Sequence, residues 1–224
     1  MAIVRPMPAP NPIPSPTFDV AFRERFAELV RWRRDVRSFR RDPLPAGTLE
    51  RLISLAVRAP SVGFSQPWRW IRVASGARRA AIAGDFARCN VEALAGYGGE
   101  RAQLYARLKL AGLDEAPEHL AVFCDESAPA GHGLGRATMP ETLAYSSVMA
   151  IHTLWLAARA EGIGLGWVSI LSPAAVSSAL QPPEGWRFIA YLCVGYPSED
   201  NPVPELARRG WEAPDPRAAT IVDR

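Results

Sequence analysis

Lysine is nearly missing from this 224-residue chain: Lys109 is the sole one among 26 basic residues, and every other is arginine. Arginine's planar fork suits phosphate and carboxylate groups, although a compositional bias toward arginine produces the same excess. Cysteine is scarce as well. Cys89, Cys124 and Cys193 are odd in number and far apart, which excludes a zinc pattern or a disulfide framework and points to free thiols in a reducing cytosol. The three histidines, His119, His132 and His152, form no i, i+4 pair around a glutamate, so no metal is expected. No uncharged apolar run of about 20 residues exists. The most apolar stretch, 140–160, is interrupted by Glu141, His152 and Arg159, which argues against a membrane module. With no apolar leader at the N-terminus, a cytoplasmic location is expected. A net charge of +3 provides no footprint for nucleic acid. No Walker loop, dinucleotide fingerprint or G-x-S-x-G elbow occurs; glycines 131, 133, 135 and 162, 164, 166 are merely spaced by two.

What is present fits one α+β domain. Prolines at 6, 8, 10, 12, 14 and 16 block helix and leave an extended arm over residues 1–17, either a strapping terminus or a partner-binding one. Residues 18–224 form the expected single domain with a C-terminal extension. Phe18, Phe22, Phe26, Leu29 and Val30 recur at helical spacing, predicting a helix over 17–34 capped by Thr17. Further helices are expected over 48–58, 76–95 and 100–112. Residues 140–160 are expected to form the longest helix, opened by Pro140, apolar around most of its circumference and central to the core. His152 is then a core or interface histidine. Strands are expected over 68–74, 119–124, 165–171 and 188–194, with a short helix before the last. Gly162, Gly164 and Gly166 read as the end of the long helix, and 202–224 as an extended tail. The order implies a layered sandwich with a central sheet and a long core helix.

Three segments carry candidate chemistry. Arg33-Arg34-Asp35-Val36-Arg37 sits where a helix ends, and its arginines suit a phosphate or a polarised ring carbonyl. Equally, they read as a solvated basic helix end complementing the helix dipole. Ala59–Trp68 is a loop with small hydroxyl residues that enters a strand. Gly164-Leu165-Gly166-Trp167-Val168-Ser169 is a glycine-rich turn that presents Ser169.

Together, and in this order, the three segments resemble the nitroreductase superfamily, with its R-R-S-x-R-like start, its A-P-S-x-x-x-x-Q-P-W loop and its G-x-G turn before a strand. The resemblance covers about residues 18–210 and implies a nitroreductase-like α+β homodimer with FMN at the interface. Asp35 in place of the usual serine, Ser169, and the run Gly133–Thr142 resemble the subfamily that consumes reduced FMN to make 5,6-dimethylbenzimidazole, the lower ligand of vitamin B12.

That resemblance implies FMN contacts from Arg33, Arg34, Asp35, Val36, Arg37, Ser61, Gln66, Gly166 and Ser169, and from Arg208 or its neighbour Arg209. It also implies a lid over 95–112 that touches the flavin through Leu108, with Tyr97 and Tyr105 as further contacts. FMNH2 and O2 are the implied substrates, no metal takes part, and a separate flavin reductase is the implied electron source. Asp35 then serves as acid or base, its neighbouring arginines favouring the carboxylate and a base role. The alternative is an ion pair with Arg34 or Arg37. Ser169 relays a proton, or is simply a strand-end hydroxyl bonded to backbone. An ordinary NAD(P)H nitro or quinone reductase is the first rival reading, disfavoured by Asp35 and by the lid. A flavin-binding protein without turnover is the second.

Overall fold

Two short, nearly continuous apolar runs, each buried on both faces, set the architecture. In the computed structural model, which describes residues 14–224, β2 (Glu118–Asp125) and β4 (Trp186–Gly195) pair at the middle of a four-stranded sheet. β1 (Trp68–Arg72) and β3 (Gly164–Val168) are its edges, the order is β1-β2-β4-β3, and every pairing is antiparallel. Side chains of successive strand residues project to opposite faces. Leu120, Val122, Ala190, Leu192 and Val194 thus meet Ile151, Leu154 and Ala158 of α5 (Thr142–Ala160), and Leu49, Leu52 and Ala56 of α2 (Thr48–Ala56). Ala121, Phe123, Tyr191 and Cys193 face the other way, onto Ile82 of α3 (Gly76–Ala95) and Val176 and Leu180 of α6 (Pro173–Leu180). Helices therefore cover both faces, as the layered α+β reading expected. Each fully buried large aliphatic side chain contributes roughly 1.5–3 kcal/mol, so these two layers supply most of the stabilisation.

Several boundaries differ from the sequence reading. The first helix, α1, runs over Val20–Trp32, and its cap is Asp19 rather than Thr17: the Asp19 carboxylate accepts the Phe22 N–H at 2.7 Å. α5 begins at Thr142, two residues after Pro140, and at 19 residues it is one shorter than α3. α4 (Gly99–Ala106) stops short of 112 because residues 107–117 fold beneath Phe39, whose ring fills the space a Cβ at Gly112 would take. Gly164 and Gly166 do not end α5 but lie inside β3, which stops at Val168; only Gly162, at φ 70°, turns the chain out of the helix. The tail is not wholly extended, since α7 (Glu205–Arg208) and a 3-10 turn at Pro216–Ala219 interrupt it. Most of the proline-rich arm, residues 1–13, lies outside the described residues; 14–17 have no helix or strand.

α5, expected at the centre of the core with His152 in the core or an interface, is only partly covered by its own chain. In one chain its inner face is buried, whereas Tyr145, Val148, Met149 and His152 are exposed. α1 buries no residue at all, leaving Phe18, Phe22, Phe26 and Val30 open to solvent. Among the described residues, two long apolar faces are therefore left without a covering partner. Among the described residues no helix is long and apolar enough to cross a membrane.

One polar pair sits deep in the second layer. His119 Nδ1 and the Tyr191 hydroxyl lie 2.9 Å apart, and burial lowers the His119 pKa to about 4. The unfolded chain takes up a proton near pH 6.5 and the folded chain does not. Stability is thus full above about pH 6.5 and falls as the pH drops toward 4, by ~3 kcal/mol in all. Urea unfolding midpoints measured between pH 7 and pH 4 should show this decline, and His119→Asn should flatten it.

Candidate functional site

The site is built on the edge of β3. Beyond Trp32 the chain leaves α1 in an extended conformation, and Val36 donates its N–H to the Leu165 carbonyl at 3.1 Å in a parallel bridge between Asp35 and Leu165. Glycines in β3 make this approach possible. A Cβ on Gly166 would overlap the Val36 carbonyl oxygen, and one on Gly164 would meet Val36 Cγ2 at 2.8 Å. The strip continues as Arg40 donates to the Tyr196 carbonyl at 2.9 Å and Ser198 donates to the Ser38 carbonyl at 3.0 Å. An otherwise open sheet edge is thereby covered.

Each charged group on the strip has a partner. Asp35 Oδ1 accepts the Trp167 N–H at 2.9 Å, and Asp35 Oδ2 accepts Arg37 Nε at 3.1 Å. The ion pair weighed for Asp35 is therefore present, with Arg37 as its partner. A carboxylate oxygen has a second lone pair, and 33% of the Asp35 side chain remains exposed. Arg34 donates to the Arg31 and Arg33 carbonyls at the end of α1 and to the Pro202 carbonyl at 2.9 Å. Burial, and then the charges of Arg33 and Arg31, lower its pKa from the usual guanidinium value. Arg33 stacks over the Trp155 ring at 4.8 Å, while the same indole donates to the Arg34 carbonyl at 3.1 Å. The helix-end reading and the anion-site reading thus divide the arginines. Arg34 is spent largely on helix carbonyls, and Arg37 faces a cleft.

That cleft joins two distant parts of the sequence. Arg34, Asp35, Val36, Arg37 and Ser38 form one wall; Glu199, Asn201, Val203, Glu205 and Arg208 form the other. Arg208 lines it, held by Glu199 at 2.8 Å, whereas Arg209 lies 3.7 Å from Glu205 and is not a lining residue, which favours Arg208 of the two candidates. A second, shallower recess on the other side of the strip is lined by Asp35–Arg37, Leu110–Gly112 and Gly166–Val168. Arg37 links the two, donating also to the Lys109 carbonyl at 3.5 Å. Three guanidiniums line the cleft together with three carboxylates, Asp35, Glu199 and Glu205, so the arginines suit an anionic group such as a phosphate ester only where it displaces a carboxylate. Glu199 would have to release Arg208 to it.

Other expected residues lie elsewhere. Ser61 and Gln66 belong to a loop fastened to α5, with Ser61 Oγ accepting the Gln66 N–H at 3.1 Å and Ser146 Oγ accepting the Val62 N–H at 3.0 Å. Neither lines the arginine cleft. Leu108 is half-buried just past α4, two residues before the first of the segment's recess-lining residues, Leu110. Ser169 follows β3 and is exposed; among the described residues its hydroxyl has no hydrogen bond to backbone. Tyr97 and Tyr105 pack on Trp211 of the tail at 5.4 and 5.9 Å between ring centroids. Patterning did not single out Trp155 as an anchor, or Glu199 and Asn201 as a wall. The indole among apolar residues of α5 and the Asn201-Pro202 dipeptide, whose Asn201 Oδ1 accepts the Val203 N–H at 2.9 Å, were the available signals. Among the described residues no cluster of His, Cys, Asp or Glu is arranged to hold a metal.

A helix-covered antiparallel sheet, with an arginine strip docked on a glycine-bearing edge strand, defines a nitroreductase-type α+β protein. The chain belongs to the nitroreductase family, whose model matches residues 30–196. It is 59% identical over 201 residues to a Rhodospirillum rubrum protein named 5,6-dimethylbenzimidazole synthase, covering 90% of this chain and 95% of that one. A Rhodobacter capsulatus protein of the same name is 51% identical, covering 87% of this chain and 94% of its own. Among solved structures, oxidized iodotyrosine deiodinase bound to FMN and 3-iodo-L-tyrosine superposes with a TM-score of 0.68 at 24% identity, covering 88% of this chain and 97% of that one.

The dependence of the strip on Gly166 gives a direct test. Gly166→Ala should push Val36 off β3 and destabilise the fold by on the order of 3 kcal/mol. Denaturant unfolding should register the loss, and Gly84→Ala inside α3, whose Cβ meets nothing within 4 Å, should be neutral or mildly stabilising.

Proposed function

We infer that the chain catalyses the oxygen-dependent fragmentation of reduced FMN to 5,6-dimethylbenzimidazole and erythrose 4-phosphate. The observation that carries this reading is the 59% identity to a synthase of that name along nearly its whole length, joined to an acid at position 35 on the arginine strip. Reduced FMN supplies the electrons that activate O2, and the ribityl carbon next to its ring becomes the imidazole carbon of the product.

The residues present fit such a substrate. Arg37 and Arg208 face one cleft with Arg34 behind them, a donor set suited to the phosphate and the polar edge of a flavin. Asp35 is oriented by the Trp167 N–H and by Arg37, so its carboxylate is held in one place to take or return protons. Ser169, exposed two residues beyond Trp167, has a free hydroxyl for relaying a proton or holding a flavin nitrogen. Leu110, Ala111 and Gly112, just beyond Leu108, border the recess beside the strip, where a cover would exclude water from the reacting centre.

A single chain offers the arginine wall without the Ser61–Gln66 loop. We place that loop, with Gln66, in the site of a second copy, so that the working unit is a homodimer. The uncovered faces of α1 and α5 provide the apolar area such an interface needs. The three free thiols fit a reducing cytoplasm, and a separate flavin reductase would deliver the FMNH2. An ordinary nitro or quinone reductase remains the second reading, favoured only by the shared fold with such enzymes.

Anaerobic mixing of the protein with chemically reduced FMN, followed by oxygen and chromatography, should yield 5,6-dimethylbenzimidazole. Recovery of FMN and peroxide alone would overturn the assignment. Asp35→Asn and Ser169→Gly should keep the fold and flavin binding while lowering product yield at least about a hundredfold, the range expected for loss of a proton-transferring group. Full yield from either variant would remove its assigned role.

A further inference from the structure

The C-terminal segment holds an arrangement that the site described above does not use. Trp211 sits against α4 with Tyr97 and Tyr105 around it; the tyrosine rings are themselves 5.0 Å apart, and the Arg101 guanidinium covers the indole at 4.2 Å. Arg101 also donates to the Trp211 carbonyl at 2.9 Å, so ring and backbone are gripped together. Tyr105 is fixed from the other side, its hydroxyl donating to Asn90 of α3 at 2.7 Å.

Trp211 is equally fixed to the arginine cleft. Gly210, at φ 74°, ends α7 in a left-handed turn in which Gly210 donates to the Ala207 carbonyl at 3.1 Å and Trp211 donates to the Leu206 carbonyl at 2.9 Å. Both bonds of a Schellman motif are made, so Trp211 and Arg208 move as one body. Beyond its other end α4 is followed by Leu110–Gly112, which line the recess. Leu108 donates to the Tyr105 carbonyl at 3.0 Å, Arg37 reaches the Lys109 carbonyl, and Lys109 pairs with Glu115, which accepts the Phe39 N–H at 3.0 Å.

We propose that Trp211 is a positioning residue that latches the α4–112 cover to the Arg208 wall of the cleft, so that closure over the flavin and engagement of its phosphate side are coupled. This rests on the flavin-fragmenting reading for its chemical consequence, though not for the latch itself. Arginine over an indole, backed by two tyrosines, is a strong yet reversible contact for such a device. With the latch released, α4 opens while Asp35 and Arg37 stay seated on β3, and water reaches the site during turnover.

The test uses the full chain in three forms: wild type, Trp211→Ala and Trp211→Phe, with Arg101→Met as a second way to weaken the stack. In the flavin-free protein, hydrogen exchange at 99–112 should accelerate about tenfold in Trp211→Ala and in Arg101→Met, with β2 and β4 unchanged and Trp211→Phe close to wild type. Faster exchange confined to 205–215 would overturn the latch. With reduced FMN and oxygen, the ratio of dimethylbenzimidazole to hydrogen peroxide should fall several-fold in Trp211→Ala while oxygen consumption continues, and Trp211→Phe should restore it. An unchanged ratio would overturn the coupling. If wild type itself forms no dimethylbenzimidazole, the functional reading fails, and the exchange experiment still decides the latch.

Discussion

The approach of Val36 to β3 is the constraint on which the rest of the site depends. A backbone strip can lie this close to an edge strand only where that strand has no side chains in the way, and Gly164 and Gly166 provide the gap. Once the strip is seated, consequences follow on both sides of it. Asp35 caps the Trp167 N–H, Arg37 is turned toward the cleft, and Phe39 is delivered into the second core layer, where it shapes the chain around Gly112. Fold stability and site geometry therefore share one set of contacts.

Charge is handled locally along the same strip. Four arginines between residues 31 and 37 would repel one another strongly in a low-dielectric cleft. Instead Arg34 is absorbed by carbonyls, Arg33 by the Trp155 face and Arg37 by Asp35, while Glu199 holds Arg208 across the cleft. Such a site is organised without any bound anion, its guanidiniums already held by carboxylates, carbonyls and a ring. The aromatic cluster around Trp211 adds a second tie between the same wall and α4.

Much of this was legible in the sequence because it depends on local patterning. The short apolar runs at 119–124 and 188–194 located the central strands, and the apolar spacing of 140–160 located α5. The arginine strip and the glycine-rich segment were both recognised. Their mutual contact was not: nothing in the spacing of Gly164 and Gly166 says that the missing Cβ atoms make room for Val36, 128 residues earlier than Gly164. The wall at 199–208 was half seen, since Arg208 came from the family pattern whereas Glu199 and Asn201 carry no periodic signal. The pattern of α5 left core and interface both open, because a helix apolar all round looks alike whether its outer face meets its own chain or another.

That ambiguity leads to the central claim, a site completed by two copies of the chain. Complementation tests it most directly. Asp35→Asn chains and Ser61→Ala/Gln66→Ala chains, each without product alone, are unfolded together, refolded and assayed with reduced FMN and oxygen. Random pairing in a two-fold dimer leaves about a quarter of the sites intact, so dimethylbenzimidazole formation should return to about a quarter of the wild-type yield. No recovery in the mixture, with wild type refolded in parallel fully active, would contradict a shared site.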